Sequence, residues 1–176
     1  MTPPRLATFS VDGSTIYGAV AEGGIVDLSA RLGKEYPTLR EAIAAGALIR
    51  LAEEAARRSP DHALDKITWL PPIPSPEKII CIGVNYPDRN AEYKDGQDAP
   101  KYPSMFMRTP RSFVGHLAPL VRPRASPQLD YEGEVVLVIG KAGRHIPESA
   151  ALITSRQSRC ATKAPSATGS GTRNSM

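Results

Sequence analysis

The sequence predicts an α+β protein that is mostly β, and three observations carry that expectation. Asp12-Gly13 separates two runs rich in β-forming residues, RLATFSV and TIYGAV, which is a hairpin signal. WLPPIPSP places four prolines in eight residues, which forbids regular helix and favours extended backbone. Leu129–Gly140, LDYEGEVVLVIG, is the clearest strand of the chain.

The elements follow in order. Residues 5–27 read as a small antiparallel meander, in which Gly23-Gly24 turns the chain into Ile25-Val26. Helix comes next. Thr38 and Glu41 stand at capping-box spacing. Gly46 interrupts, and Ala47–Arg57 resumes with Leu48, Leu51 and Ala55 on one face. Residues 59–76 read as a connector, and a module boundary is expected near Leu70, so that 1–70 form a small N-terminal module. The second module, 71–152, opens with KIICIGV at Lys78–Val84, an apolar run suited to a buried strand, with Cys81 as a buried free thiol. A long polar, proline-punctuated segment runs to Pro127, and Met105–Met107 can pair as a strand inside it.

Composition excludes several functions. The chain has 176 residues, of which 41% are hydrophobic, enough for a packed core. No stretch reaches the apolar length of a membrane span, and the N-terminus does not read as a signal peptide, so a cytoplasmic location is expected with no membrane partner. Two cysteines make no disulfide framework. The formal charge of +4 invites a nucleic-acid reading. Its distribution argues against one. The last 24 residues hold Arg156, Arg159, Lys163 and Arg173 and no acid; without these four, 18 basic residues face 18 acidic ones. The body is formally neutral, and no nucleic-acid partner is expected.

Glu132 and Glu134 lie two apart on the predicted strand, so both carboxylates face one way, roughly 7 Å apart at the backbone. VVLVI follows, apolar on both faces, as in a strand entering a core. Two like charges at the mouth of a core are relieved by protonation, basic partners or a bound cation, and oxygen donors suit Mg²⁺, Mn²⁺ or Ca²⁺. Asp130 makes the cluster denser. A solvated strand end accounts for the E-x-E spacing equally well, and the cluster alone identifies no reaction.

Three blocks in order, KIICIGVNYPDRNAEY, PSMFMRTPRSFVGH and LDYEGEVVLVIGKAGRHIP, strongly resemble the fumarylacetoacetate hydrolase family over about residues 78–152. The segment before them resembles the small N-terminal module of many bacterial members. The resemblance implies a mixed β-roll, incomplete in this chain, an Mg²⁺- or Mn²⁺-dependent site and, at full length, a homodimer. It implies a small oxo-acid substrate: carbon–carbon cleavage of an acylpyruvate or β-diketo acid in aromatic catabolism. The alternative is isomerase or decarboxylase chemistry of the 2-hydroxyhepta-2,4-diene-1,7-dioate type. By position Glu132 and Glu134 match metal ligands. Asn85 and Tyr86 match the loop that opens the active site, Tyr131 is expected to bind substrate, and Glu92 matches the acid of a His–Glu pair that activates water.

Arg89 stands where hydrolases commonly place that histidine. An arginine stays protonated and is no general base, though it can clamp a carboxylate. This departure moves weight toward isomerase or decarboxylase chemistry. Arg108 stands where relatives often carry lysine and can hold a second carboxylate. His116 follows FVG in a loop, and no role is assigned to His62 or His145.

The family's third metal ligand comes from a segment that should begin near Leu152. Residues 153–176 do not resemble it; they hold nine Ser or Thr and read as a flexible basic tail. One permitted codon string for this tail, read two bases on, gives HIAAVTLCNEGTIRDW, which resembles the missing segment. The expectation is that one base was lost near the codon for Leu152. The chain as written is then expected to be inactive, a non-catalytic scaffold at most, with Cys160 and the basic pI products of the shifted frame.

Overall fold

The computed structural model describes residues 4–84, 94, 96, 98, 100–122, 124–125, 132–154 and 159–164, with the side chains of 132–133, 152–154 and 159–164 left out of the description. The chain divides into two compact units, Met1–Ile73 with Val114–Met176, and Pro74–Phe113.

The first unit opens with a meander. Strands β1 (Arg5–Val11), β2 (Ser14–Ala21) and β3 (Gly24–Asp27) pair antiparallel, with Phe9 opposite Ile16 and Ala19 opposite Val26. Asp12 and Gly13 both adopt positive φ, 48° and 80°, as a type I′ turn requires, which is why Asp-Gly specifies the hairpin. The connector also contributes a strand. β4 (Thr68–Leu70) pairs with β1, giving the sheet order β3-β2-β1-β4. Its three residues were not marked out from the connector by the sequence, because a short edge strand is set by its partner. Buried Thr8 donates to the Pro72 carbonyl at 2.6 Å and holds the connector beyond β4.

Three helices cover this sheet: α1 (Ser29–Leu32), α2 (Leu39–Ala44) and α3 (Leu48–Ala56). The Thr38–Glu41 capping box forms: the Thr38 hydroxyl accepts from the Glu41 amide, and Glu41 accepts from the Thr38 amide at 2.9 Å. Tyr17, Val26, Leu28, Leu39, Ala42, Ile43 and Leu51 form one core, joined by Ile73 and Val138. The Tyr17 hydroxyl donates to the Tyr36 carbonyl at 2.8 Å, which satisfies the polar tip of a buried ring. Burial first, then the nearby Asp27 carboxylate, pushes its pKa up to about 12.

Also in this unit, β7 (Glu132–Leu137) pairs antiparallel with β8 (Arg159–Ala164), and α4 (Glu148–Thr154) lies between them in sequence. A strand at 159–164 departs from the expected tail without regular structure. The second unit contains β5 (Ile79–Gly83) paired antiparallel with β6 (Ser104–Arg108).

Two expectations of burial need correction. β5 is not a buried strand: Ile80 and Ile82 are exposed, and Cys81 is only partly covered. β7 does not carry its apolar residues into a core on both faces, since Val135 and Leu137 are exposed. Both strands have the composition of a core element, but among the described residues no element covers both faces of either.

Candidate metal half-site and its surroundings

β7 sets the site. Glu132 and Glu134 stand two apart in the backbone of this strand. Their partners across the ladder are Ala164 and Thr162. Glu134 is exposed. Two carboxylates at this spacing would supply part of an oxygen donor set for Mg²⁺ or Mn²⁺, which need more oxygens than two. Among the described residues, no three His, Cys, Asp or Glu side chains converge to complete it.

The other expected site residues divide into two groups. Asn85, Tyr86, Arg89, Glu92 and Tyr131 lie outside the described residues. Arg108 closes β6 opposite Ile79 and is partly covered. Val84, immediately before Asn85, has φ of 55°. A β-branched residue disfavours that left-handed backbone, so strain sits where β5 ends.

The histidines have separate surroundings. His116 is exposed and meets the Trp69 ring edge-on, with centroids 5.9 Å apart. Gly115 beside it lies so close to the Trp69 carbonyl that any Cβ would collide with the backbone. Here the glycine of FVGH serves close approach of two chain segments. His62 stacks edge-on against Phe9, with its Nε2 3.8 Å from the Asp27 carboxylate. His145 occupies a positive-φ turn position.

One polar network escaped sequence reasoning. Arg31 donates from both terminal nitrogens to Asp61, at 3.0 and 2.8 Å, and also to the Asp27 carbonyl. Asp61 accepts from the Asp27 amide at 2.8 Å. The Arg31 bonds hold the Asp61 carboxyl below the usual carboxylate range, against the opposing effect of desolvation. Ile25 donates to the His62 carbonyl at 2.9 Å. The network fastens the connector to β3 and leaves Asp61 occupied. Its members are 30 residues apart, and no local motif signals them.

Comparison with known proteins bears on the site. Residues 78–154 match the family model described as fumarylacetoacetate (FAA) hydrolase, C-terminal. Oxaloacetate tautomerase fahd2, mitochondrial, from Xenopus laevis is 37% identical over 132 residues, which cover 74% of this chain and 41% of that protein. Oxaloacetate tautomerase YisK from Bacillus subtilis is 41% identical over 88 residues, 48% of this chain and 29% of that protein. The solved fumarylacetoacetate hydrolase from psychrophilic Exiguobacterium antarcticum superposes with a TM-score of 0.60 at 29% identity, covering 86% of this chain and 52% of its own. The chain thus spans about two fifths of the Xenopus relative's length and half of the solved one. With β7 and its E-x-E pair inside the matched segment, this chain belongs to the fumarylacetoacetate hydrolase family.

Proposed function

We propose that this chain carries the metal half-site and part of the substrate pocket of an enzyme that interconverts the keto and enol forms of a 2-oxo dicarboxylate of the oxaloacetate kind. The observation that carries the reading is Arg89 at the position where the resemblance expects a water-activating histidine. Arginine stays protonated and cannot deprotonate water, but a tautomerisation needs no water. The relatives named as oxaloacetate tautomerases support the same reading.

In this reading Glu132 and Glu134 hold Mg²⁺ or Mn²⁺, whose chemistry would be to polarise the 2-oxo group. Arg89 and Arg108 each take a substrate carboxylate through paired N–H donors. Glu92 accepts the proton from C3 and returns it to the C2 oxygen. Asn85, Tyr86 and Tyr131 orient the substrate. A homodimer and a cytoplasmic location belong to the same proposal. No helix among the described residues is long and apolar enough to cross a membrane.

The second reading is carbon–carbon cleavage of an acylpyruvate, favoured by the family model's own description. Under it Glu92 needs another base to activate water. The shifted frame after Leu152 is also part of the proposal, since NEGTIRDW would bring the acids that 153–176 lack. Sequencing the gene from the codon for Leu129 onward tests that point alone.

The activity test uses the chain as written and the chain read in the shifted frame. Decay of the oxaloacetate enol absorbance and loss of acylpyruvate absorbance are followed with Mg²⁺, with Mn²⁺ and with a chelator. Metal-dependent acceleration of enol decay, lowered at least tenfold in Glu134→Gln, is expected of the shifted-frame chain. Acylpyruvate cleavage without effect on the enol would replace this reading with the second.

A further inference from the structure

The N-terminal module holds the polypeptide around β7 at two points. The first is Gly115, which lies against the Trp69 carbonyl of β4, while the His116 ring meets the Trp69 ring edge-on. The second is Val138, the residue after β7, which packs against the core cluster containing Tyr17, Leu28 and Leu51. All of these residues belong to one compact unit.

The seat of Val138 is one-sided. Val136 and Val138 are partly covered, whereas Val135, Leu137 and Ile139 are 72%, 54% and 62% exposed. That alternation is the period of an extended chain with one face against a core. Glu134 falls in the register of the covered residues and is itself exposed. Four residues of extended chain place its backbone roughly 13 Å from the Val138 seat. β7 also pairs with β8, but a two-stranded ribbon is marginal in water by itself. The core contact at Val138 therefore fixes where the strand stands, and Glu134 with it.

We propose that Val138 is a positioning residue for the metal carboxylates, and that the N-terminal module serves the site by holding β7 in place. The inference deepens the proposed function and rests on its assignment of Glu132 and Glu134 to a metal. Donors keep their affinity for a cation only while their support holds them to within a fraction of an ångström. The one-sided seat makes a specific demand. Loss of apolar packing at Val138 must weaken the site, and the same change at the neighbouring Ile139, on the uncovered side, must not.

The test titrates the full 176-residue chain with Mn²⁺ and reads the electron paramagnetic resonance signal of the free ion. Val138→Ala should weaken Mn²⁺ binding about tenfold, the size of effect seen when a ligand's support is removed. Val138→Ile should retain binding, and Ile139→Ala should leave it unchanged. Val138→Thr, nearly equal in volume to valine, is the second variant should the alanine variant not fold. Trp69 fluorescence in urea shows whether each variant keeps its N-terminal sheet, since Trp69 pairs with Phe9. Hydrogen exchange of the β7 amides should be faster in Val138→Ala than in the unmodified chain, without a matching change in β1 and β2. Unchanged Mn²⁺ binding in a folded Val138 variant, equal weakening by Ile139→Ala, or unchanged β7 exchange would each overturn the proposal and leave the metal reading standing. Failure of the unmodified chain to bind Mn²⁺ would remove the metal reading itself, and the positioning role with it.

Discussion

The N-terminal sheet and the strands of the family segment are built from the same kinds of residue and end in opposite states. Phe9, Ile25, Val26, Leu28 and Leu51 are fully buried, whereas Ile80 is 52% exposed and Val135 72%. The first region folds its helices back over its own sheet within 56 residues. The second supplies strands whose apolar side chains stay exposed among the described residues. An apolar run therefore records a composition suited to burial, and it does not record whether the fold buries it.

The largest expected effect sharpens this contrast. Leu51→Ala should lower stability by about 2–5 kcal/mol, because it empties a closed core. Ile82→Ala, in a half-exposed strand, should cost less than about 0.5 kcal/mol. Trp69 is the single tryptophan, and its fluorescence in urea reads both. Equal losses would break the comparison.

Gly115→Ala comes next, with a loss of about 1–3 kcal/mol from overpacking against the Trp69 carbonyl. The Trp69 emission should also shift, since His116 leaves its ring edge.

A titration probes the closed core more gently. Tyr17 has a folded pKa raised to about 12 from a value near 10. Its burial stabilises the neutral hydroxyl, so this contribution is fully present below pH 10 and is lost as pH rises from 10 through 12. Alkaline unfolding followed by circular dichroism should steepen in that window, and Tyr17→Phe should flatten it.

How much of this was legible in the sequence depends on the range of the interaction. Asp12-Gly13, the Thr38–Glu41 box and the Met105–Met107 strand are local signals, and each formed, the last within Ser104–Arg108. The fold class and the family were legible for the same reason, since the E-x-E strand and its flanking blocks are contiguous. β4 and the Arg31–Asp61 network depend on partners far away in sequence, and nothing near them announces the pairing. Burial of β5 and β7 was misjudged because composition was taken for context. The metal roles of Glu132 and Glu134 rest on spacing and resemblance, and the roles of Arg89, Glu92, Asn85, Tyr86 and Tyr131 on resemblance alone.

Hydrogen exchange across the 176-residue chain tests the central contrast most directly. The account predicts that the paired amides of β1, β2 and β3 exchange only through global unfolding, while those of β5, β6 and β7 exchange orders of magnitude faster. Protection of β5 and β6 equal to that of β1 and β2 would contradict it, and would mean that the family segment is already covered in this chain.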